Sequence, residues 1–238
     1  MTANEMRYAF DVSFDKITNF DAPGYEDSEV SFLLNKAQER FLFQTYSGNN
    51  RLKEGFEETE KRRKDLSELT KNAIISTPSV SQTGSLPNGT LYDLPTDFIY
   101  AIKEEVVISS EDECDDGKRI KVKPITHDEY TINIDNPFKQ PDNTLVWRLD
   151  YSRITDNTNP KRHELITDGF YNITEYHLRY LRRPVAIVVD IDTPANQVHC
   201  VLDEITHNRI VDLAVEIALE LTVDQRLMTN VQLNTKNE

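Results

Sequence analysis

Leu202-Asp-Glu-Ile-Thr-His-Asn-Arg-Ile-Val-Asp-Leu-Ala-Val-Glu-Ile-Ala-Leu-Glu-Leu-Thr-Val-Asp-Gln-Arg-Leu227 reads as one helix. Between Ile210 and Leu221 the only charged residues are Asp212, Glu216 and Glu220, four apart, so on a helix they form a single acidic stripe. A strand would scatter them over both faces. The remaining residues, Ile210, Val211, Leu213, Ala214, Val215, Ile217, Ala218, Leu219 and Leu221, cover more of the circumference than a helix lying on one core needs. The helix is therefore central to the fold or shared with a neighbour, and the acidic stripe is expected to be its one exposed edge. Asp203 is placed to cap it by accepting from the Thr206 backbone N–H, and Glu204 suits the positive end of its dipole. Nothing in the run is chemically reactive, which points to assembly and away from catalysis.

At the other end of the chain, Val30, Leu33, Leu34, Ala37, Phe41 and Leu42 fall on one helical face from about Asp27 onward, and Gly48-Asn-Asn50 stops that helix. A second helix is expected from Leu52 to Ala73. Its apolar stripe is thin, while Glu57/Lys61, Glu58/Arg62 and Glu60/Lys64 sit four apart, so it reads as a solvated charged helix or one lying on another subunit. Lys61-Arg-Arg-Lys64 taken alone predicts salt-sensitive DNA binding, but the acids one turn earlier favour a solvated face. Residues 1–24 show isolated aromatics, Tyr8, Phe10, Phe14 and Phe20, and end in Asp21-Ala-Pro-Gly24. They are expected to form an extended arm docking on the chain's own body or on a neighbouring subunit.

The middle of the chain changes period. Residues 76–90, rich in Ser, Thr, Pro and Gly, are expected to be a linker or surface loop, and residues 91–201 a β-rich region. Phe98 to Ser109 and Lys118 to Ile125 flank the acidic turn Glu111-Asp-Glu-Cys-Asp-Asp-Gly117 and predict a hairpin, with Arg119, Lys121 and Lys123 alternating with Ile120 and Val122. Residues 91–117 hold nine acids and one lysine, so negative charge is concentrated there. A short helix is expected at His127 to Thr131, and strands over Leu145–Tyr151, His163–Ile166 and Asn172–Arg182, with Pro184 placing Val185–Val189 at an edge or bend. The expected fold is α+β. Helices from both chain ends (25–75 and 202–238, packing together) surround an antiparallel sheet or small barrel of five or six strands, with residues 1–24 as the arm.

Composition excludes several classes. A net charge of −14 repels a phosphate backbone, so nucleic acid is not a tight ligand. No apolar run reaches the length of a membrane span and no signal peptide is evident, which predicts a soluble protein made in the cytoplasm. The two cysteines, Cys114 and Cys200, cannot make a disulfide framework and suggest a reducing compartment. His199, Cys200 and His207 offer metal-ligand types without the paired spacing of a zinc site. His127-Asp-Glu129 could supply a general base, but no nucleophile motif accompanies it. Phosphate loops, nucleophile elbows and HExxH motifs do not occur. No catalytic, cofactor-binding or metal-binding residue is assigned. The alternative class is a hydrolase of nuclease type that depends on carboxylates and a divalent metal, since such chemistry needs only two or more Asp/Glu brought together in space.

Four segments resemble a known family. Tyr25-Glu-Asp-Ser-Glu-Val-Ser-Phe-Leu-Leu-Asn-Lys-Ala-Gln-Glu-Arg40, Leu94-Pro-Thr-Asp-Phe98, Pro124-Ile-Thr-His-Asp-Glu-Tyr130 with Asn136-Pro-Phe138, and Tyr180-Leu-Arg-Arg-Pro184 leading to Leu202-Asp-Glu-Ile-Thr-His207 look like the head-to-tail connector ring proteins of crAss-like bacteriophages. Helices at both chain ends around a β-rich middle are also distantly similar to the adaptor proteins of short-tailed phages. The resemblance implies a structural virion protein of the phage neck or tail, made in the host bacterial cytoplasm and assembled as a homo-oligomeric, dodecameric ring. Such a ring would sit under the portal protein and against adjacent tail ring proteins, continuing the DNA channel, with no cofactor and no membrane. On this view Glu111, Asp112, Glu113, Asp115, Asp116, Asp212, Glu216 and Glu220 are candidates to face the channel or a partner, letting DNA slide without sticking. Tyr8, Phe10, Phe14 and Phe20 are candidates for an inter-subunit arm.

Overall fold

The computed structural model describes residues 1–17, 24–48, 53–78, 86–110, 115–151 and 161–222. In chain order, helices α1 (Ala3–Ile17), α2 (Asp27–Ser47) and α3 (Glu60–Asp65) precede strands β1 (Thr70–Ile75), β2 (Gly89–Asp93), β3 (Phe98–Ser109) and β4 (Arg119–Pro124). Then come α4 (His127–Asn133), β5 (Leu145–Tyr151), β6 (Arg162–Ile166), β7 (Asn172–Arg182) and finally α5 (Glu204–Thr222). The fold is α+β. Two units divide the chain, Met1–Leu69 with Pro184–Glu238, and Thr70–Arg183.

The helical unit is built on α5. Asp203 Oδ1 accepts from the Ile205 N–H at 3.2 Å, one residue earlier than expected, while the Thr206 N–H and hydroxyl both donate to the Asp203 carbonyl. Ile210, Ala214, Ala218 and Leu219 are fully buried and Val211, Val215 and Ile217 nearly so, packed between α2 and α1. Each large aliphatic side chain so buried contributes about 1.5–3 kcal/mol. Helix α2 opens with a capping box between Glu26 and Glu29 and closes at Gly48, whose φ of 70° is the left-handed conformation that glycine adopts without steric cost. Its expected apolar face, Val30, Leu33, Leu34, Ala37, Phe41 and Leu42, is buried throughout.

Two expectations fail in this unit. The N-terminal residues are not an extended arm, because residues 3–17 are the helix α1. Ala3, Met6 and Phe10 at 0% exposure and Phe14 at 6% lie at helical spacing, and they fill a side of α5 that α2 leaves uncovered. The second failure is the helix expected over Leu52–Ala73. Helix α3 covers only Glu60–Asp65, capped by Thr59, followed by a single 3₁₀ turn over Ser67–Leu69 and then by β1. Arg62 is buried 3.9 Å from Asp65 and makes no ion pair with Glu58, whose carboxylate instead accepts from the Gly55 N–H. Pairing of β1 with β7, more than a hundred residues away, overrides the local helical charge spacing.

The returning segment 184–200 belongs to the helical unit. Asn35 donates to the Ile187 carbonyl and accepts from the Ile187 N–H, both at 2.8 Å, Ser31 Oγ accepts from the Val189 N–H at 2.9 Å, and Asp27 Oδ2 accepts from the Ile191 N–H at 2.9 Å. Side chains four apart on α2 therefore serve alternate residues of an extended chain, doing for it what a neighbouring strand does in a sheet. On its other side Val188 bridges to Val198.

The second unit is one seven-stranded sheet in the order β1-β7-β3-β4-β5-β6-β2. The β3–β4 hairpin forms as expected, with Glu105 opposite Lys121 and Val107 opposite Arg119. The sheet is antiparallel except for β4 and β5, which run parallel because α4 and the following turns carry the chain across between them. It curls strongly: Tyr92 on the terminal strand β2 and Tyr176 on β7 bring their ring centroids to 5.7 Å. Its inner face holds Val106, Ile108, Ile120, Val146, Leu165 and Leu178. The outer face of β5 and β6 forms a second small core, Trp147, Leu149 and Ile166, covered by Tyr130 and Ile134 of the α4 segment.

Candidate assembly surfaces

The acids of α5 are largely committed inside the helical unit. Arg40 of α2 reaches Glu216 Oε1 at 3.5 Å and Glu220 Oε1 at 3.2 Å, and Glu216 is only 9% exposed. Burial pushes the Asp212 carboxyl above its usual range. The stripe is therefore not a free edge, and Glu220 is its one exposed member. In the hairpin turn, Glu111, Asp112 and Glu113 lie outside the described residues. Asp115 accepts from Asn143 and Lys118, which hold its carboxyl below the usual range, and the exposed Asp116 accepts from the Ser110 N–H.

The N-terminal aromatics divide similarly. Phe10 and Phe14 stack at 5.8 Å, and both meet the Tyr25 ring edge to face, at 5.7 and 5.1 Å. They serve the chain's own core, while Tyr8 is exposed and Phe20 lies outside the described residues. Beside Tyr25 runs an apolar groove of about 280 Å³, lined by Ser28, Glu29, Phe32, Leu33 and Leu221. Phe32 and Phe43, eleven residues apart and so on one face of α2, are both largely exposed. In the sheet unit, the Tyr171 hydroxyl donates to the Asp142 carbonyl at 2.6 Å and Asn143 donates to Asp115 Oδ2 at 3.1 Å. These bonds tie three turns together at one end of the sheet; Phe138 and Phe170 stand 96% and 88% exposed.

Exposed cations line the outer face of β3, β4 and β7. Lys103 pairs with Glu105 at 2.8 Å and His177 meets Glu175 at 2.8 Å. Arg119, Lys121 and Lys123 on β4 are exposed and make no ion pair within 4.0 Å among the described residues.

Most of the polar groups with catalytic potential are engaged structurally. His199 Nδ1 accepts from the Ala3 N–H, His207 Nε2 donates to the Leu202 carbonyl, and burial pushes the Cys200 thiol up. His127 and Asp128 lie exposed on the first turn of α4, and Glu129 closes its capping box. Among the described residues no group of three or more His, Cys, Asp and Glu is placed to hold a metal ion.

One cluster was not visible in the sequence. Glu104 of β3 accepts from Tyr176 of β7 and from Arg148 of β5 at 2.9 Å, while His163 of β6 meets the Tyr176 hydroxyl at 2.7 Å and Asp150 at 3.3 Å. Burial alone would raise the Glu104 carboxyl, but the His163 and Tyr176 hydrogen bonds and the Arg148 charge outweigh it and hold it below the usual range. With Glu104 6% exposed, His163 2% and Tyr176 fully buried, the cluster is an interior network that braces four strands and reaches solvent at Asp150. The only available signal was that these residues occupy inward positions of alternating strands.

The profile of the family described as phage tail ring protein 3/4 matches residues 1–230. Ring protein 4/5 of Bacteroides phage crAss001 is 31% identical over 251 aligned positions spanning all of both chains. Ring protein 3 of the same phage is 30% identical over 204 positions, covering 82% of this chain and 84% of the relative. A full-length match to structural proteins of this kind agrees with buried, structurally committed polar groups and exposed aromatic and cationic faces, and the chain belongs to the crAss-like phage tail ring protein 3/4 family.

Proposed function

We propose that this phage ring protein is the subunit of a closed, dodecameric connector ring that joins the portal to the tail and continues the DNA channel of the virion. The observation that carries the proposal is the end-to-end match to a ring protein, covering all of both chains. The surfaces support it. Phe32, Phe43, Phe138 and Phe170 are too exposed for a protein that works alone, and a ring with heterologous contacts buries two different faces of every protomer. A net charge of −14 suits a channel wall that does not retain DNA, because each neutralised phosphate would add binding and slow passage. The acids Glu111, Asp112, Glu113, Asp115 and Asp116 at the hairpin turn and Glu220 on α5 are the candidates to face that channel or a partner. Asp212 and Glu216 are weaker candidates given their burial.

The test is assembly on the natural template. Negative-stain microscopy and light scattering of the full chain mixed with the portal and adjacent ring proteins are expected to show closed rings. A compact monomer under those conditions overturns the proposal. Replacing the five hairpin acids by Ser or Asn is expected to leave the chain folded, as read by circular dichroism, and to alter docking or genome ejection.

A further inference from the structure

In the sheet unit, Asn136-Pro-Phe-Lys-Gln140 has the proline of a turn at its second position. The turn closes on Asn136, whose Oδ1 accepts from the Phe138 N–H at 3.1 Å and whose carbonyl accepts from the Lys139 and Gln140 N–H groups at 3.0 and 3.1 Å. A backbone so fixed nevertheless presents Phe138 to solvent, 96% exposed, with the exposed Lys139 beside it in the chain. Holding an aromatic ring on a preset turn lowers the ordering cost of placing that ring in a partner. The helical unit carries a hollow of the matching kind, the groove of about 280 Å³ lined by Tyr25, Ser28, Glu29, Phe32, Leu33 and Leu221. Leu33 is buried there, while Phe32 and Leu221 stand 62% and 58% exposed. An apolar cavity of about 150 Å³ holds one benzene molecule, so this groove has room for a phenyl ring. Its exposed acid Glu29, with Oε2 accepting from the Glu26 N–H at 2.9 Å, stands where the Phe138 turn carries a lysine.

We infer that the groove beside Tyr25 and Phe32 receives Phe138 of a second copy of this chain, with Lys139 of that copy set against Glu29. The exposures of Phe138, Phe32 and Leu221 show that the chain by itself covers neither the ring nor the groove. An apolar projection and a pocket for it elsewhere on the same molecule associate heterologously, so each protomer gives its Phe138 to one neighbour and its groove to the other. Knob and pocket lie in different units of the chain and share no residue, which lets both be engaged at once. An aromatic ring seated in a pocket is the usual form of an interface hot spot, and the Lys139–Glu29 pair at its rim adds orientation more than affinity. This inference rests on the ring reading.

The experiment compares full-length wild type, Phe138→Ser, Phe32→Ser and the double variant by sedimentation velocity and negative stain with the portal and adjacent ring proteins present. Both side chains are exposed, and circular dichroism melts of each variant alone check folding. Each single variant is expected to assemble at least tenfold more weakly, and the double variant no more weakly than the worse single one, because both changes remove the same contact. In a Cys114→Ser background, Ser28→Cys/Lys139→Cys is expected to give a ladder of cross-linked copies with a short bismaleimide, and neither single cysteine variant to do so. Wild type that never assembles would break the ring reading and this contact with it. Wild type that assembles, with Phe138→Ser assembling equally well or with no cross-linked ladder, would overturn only this contact. Cross-links to the portal or an adjacent ring protein in place of a second copy would give the groove to a different partner and also overturn it.

Discussion

The helical unit and the sheet unit shift their carboxylates in opposite directions at several positions. In the helical unit burial raises the carboxyls of both Asp65 and Asp212 above their usual range, Asp65 in spite of Arg62 3.9 Å away. In the sheet unit Glu104, Glu105, Asp115, Asp142 and Asp150 are all held below it, Asp115, Asp142 and Asp150 mainly through side-chain hydrogen bonds from Asn143, Thr144 and His163. The difference follows from geometry. Helices satisfy their backbones internally and can meet through apolar faces alone, as α5 does with α1 and α2. A strongly curled sheet brings side chains from distant strands together, and there an ionised group is tolerated only when it is paired and hydrogen-bonded.

This comparison is broken most severely at Glu104. Glu104→Ala leaves Arg148 and His163 without their buried partner and is expected to cost about 3–5 kcal/mol, read from urea denaturation. The pH dependence sharpens the point. Because the folded Glu104 carboxyl titrates below its unfolded value, its stabilisation is fully present above about pH 4 and is lost as pH falls through the folded value. Asp65 and Asp212 have the opposite sign: their contribution is present below about pH 4 and is lost as pH rises through their raised values. Peptide-resolved hydrogen exchange on acidification below about pH 4 is therefore expected to deprotect β3, β5, β6 and β7 before α2 and α5. The reverse order would refute the contrast.

The helical side of the comparison is tested at Ile217, which is 1% exposed on α5. Ile217→Ala is expected to cost roughly 2–4 kcal/mol through lost burial and a residual cavity, and to do so equally at neutral and mildly acidic pH. A pH-dependent loss would mean that its surroundings are less apolar than the packing indicates. The smallest effect is expected at Asn35, one of three α2 side chains, with Ser31 and Asp27, that hydrogen-bond an extended chain. Asn35→Ala removes the Ile187 N–H and C=O partners and is expected to cost about 1–3 kcal/mol, with faster exchange confined to residues 187–191. Unchanged exchange there would show that Ser31, Asp27 and the Val188–Val198 bridge suffice to hold the segment.

Much of the architecture was legible one element at a time. The spacing of Asp212, Glu216 and Glu220 marked a helix buried nearly all round, Gly48 marked where α2 stops, and the alternation of Arg119, Lys121 and Lys123 marked β4 together with its exposed side. Helix α1 was within reach, since Ala3 and Met6 extend the Phe10 and Phe14 spacing into a helical period, but the aromatics alone read as isolated. Strand β1 was not within reach, because its charge ladder upstream is helical and only distant pairing with β7 makes it a strand. The expected exposed stripe on α5 was lost to Arg40, which lies 176 residues before Glu216 in the chain.

By itself, then, the sequence determined local periodicity, charge distribution and the family resemblance, all of which are written in neighbouring residues. Tertiary structure decided which of those charges remain available. It drew Glu216 into a pair with Arg40, gathered Glu104, Arg148, His163 and Tyr176 from four strands into the interior, and left Arg119, Lys121 and Lys123 facing outward. The physical reason is that an ion pair or a hydrogen bond depends on distance in space, and chain folding, not spacing along the sequence, sets that distance.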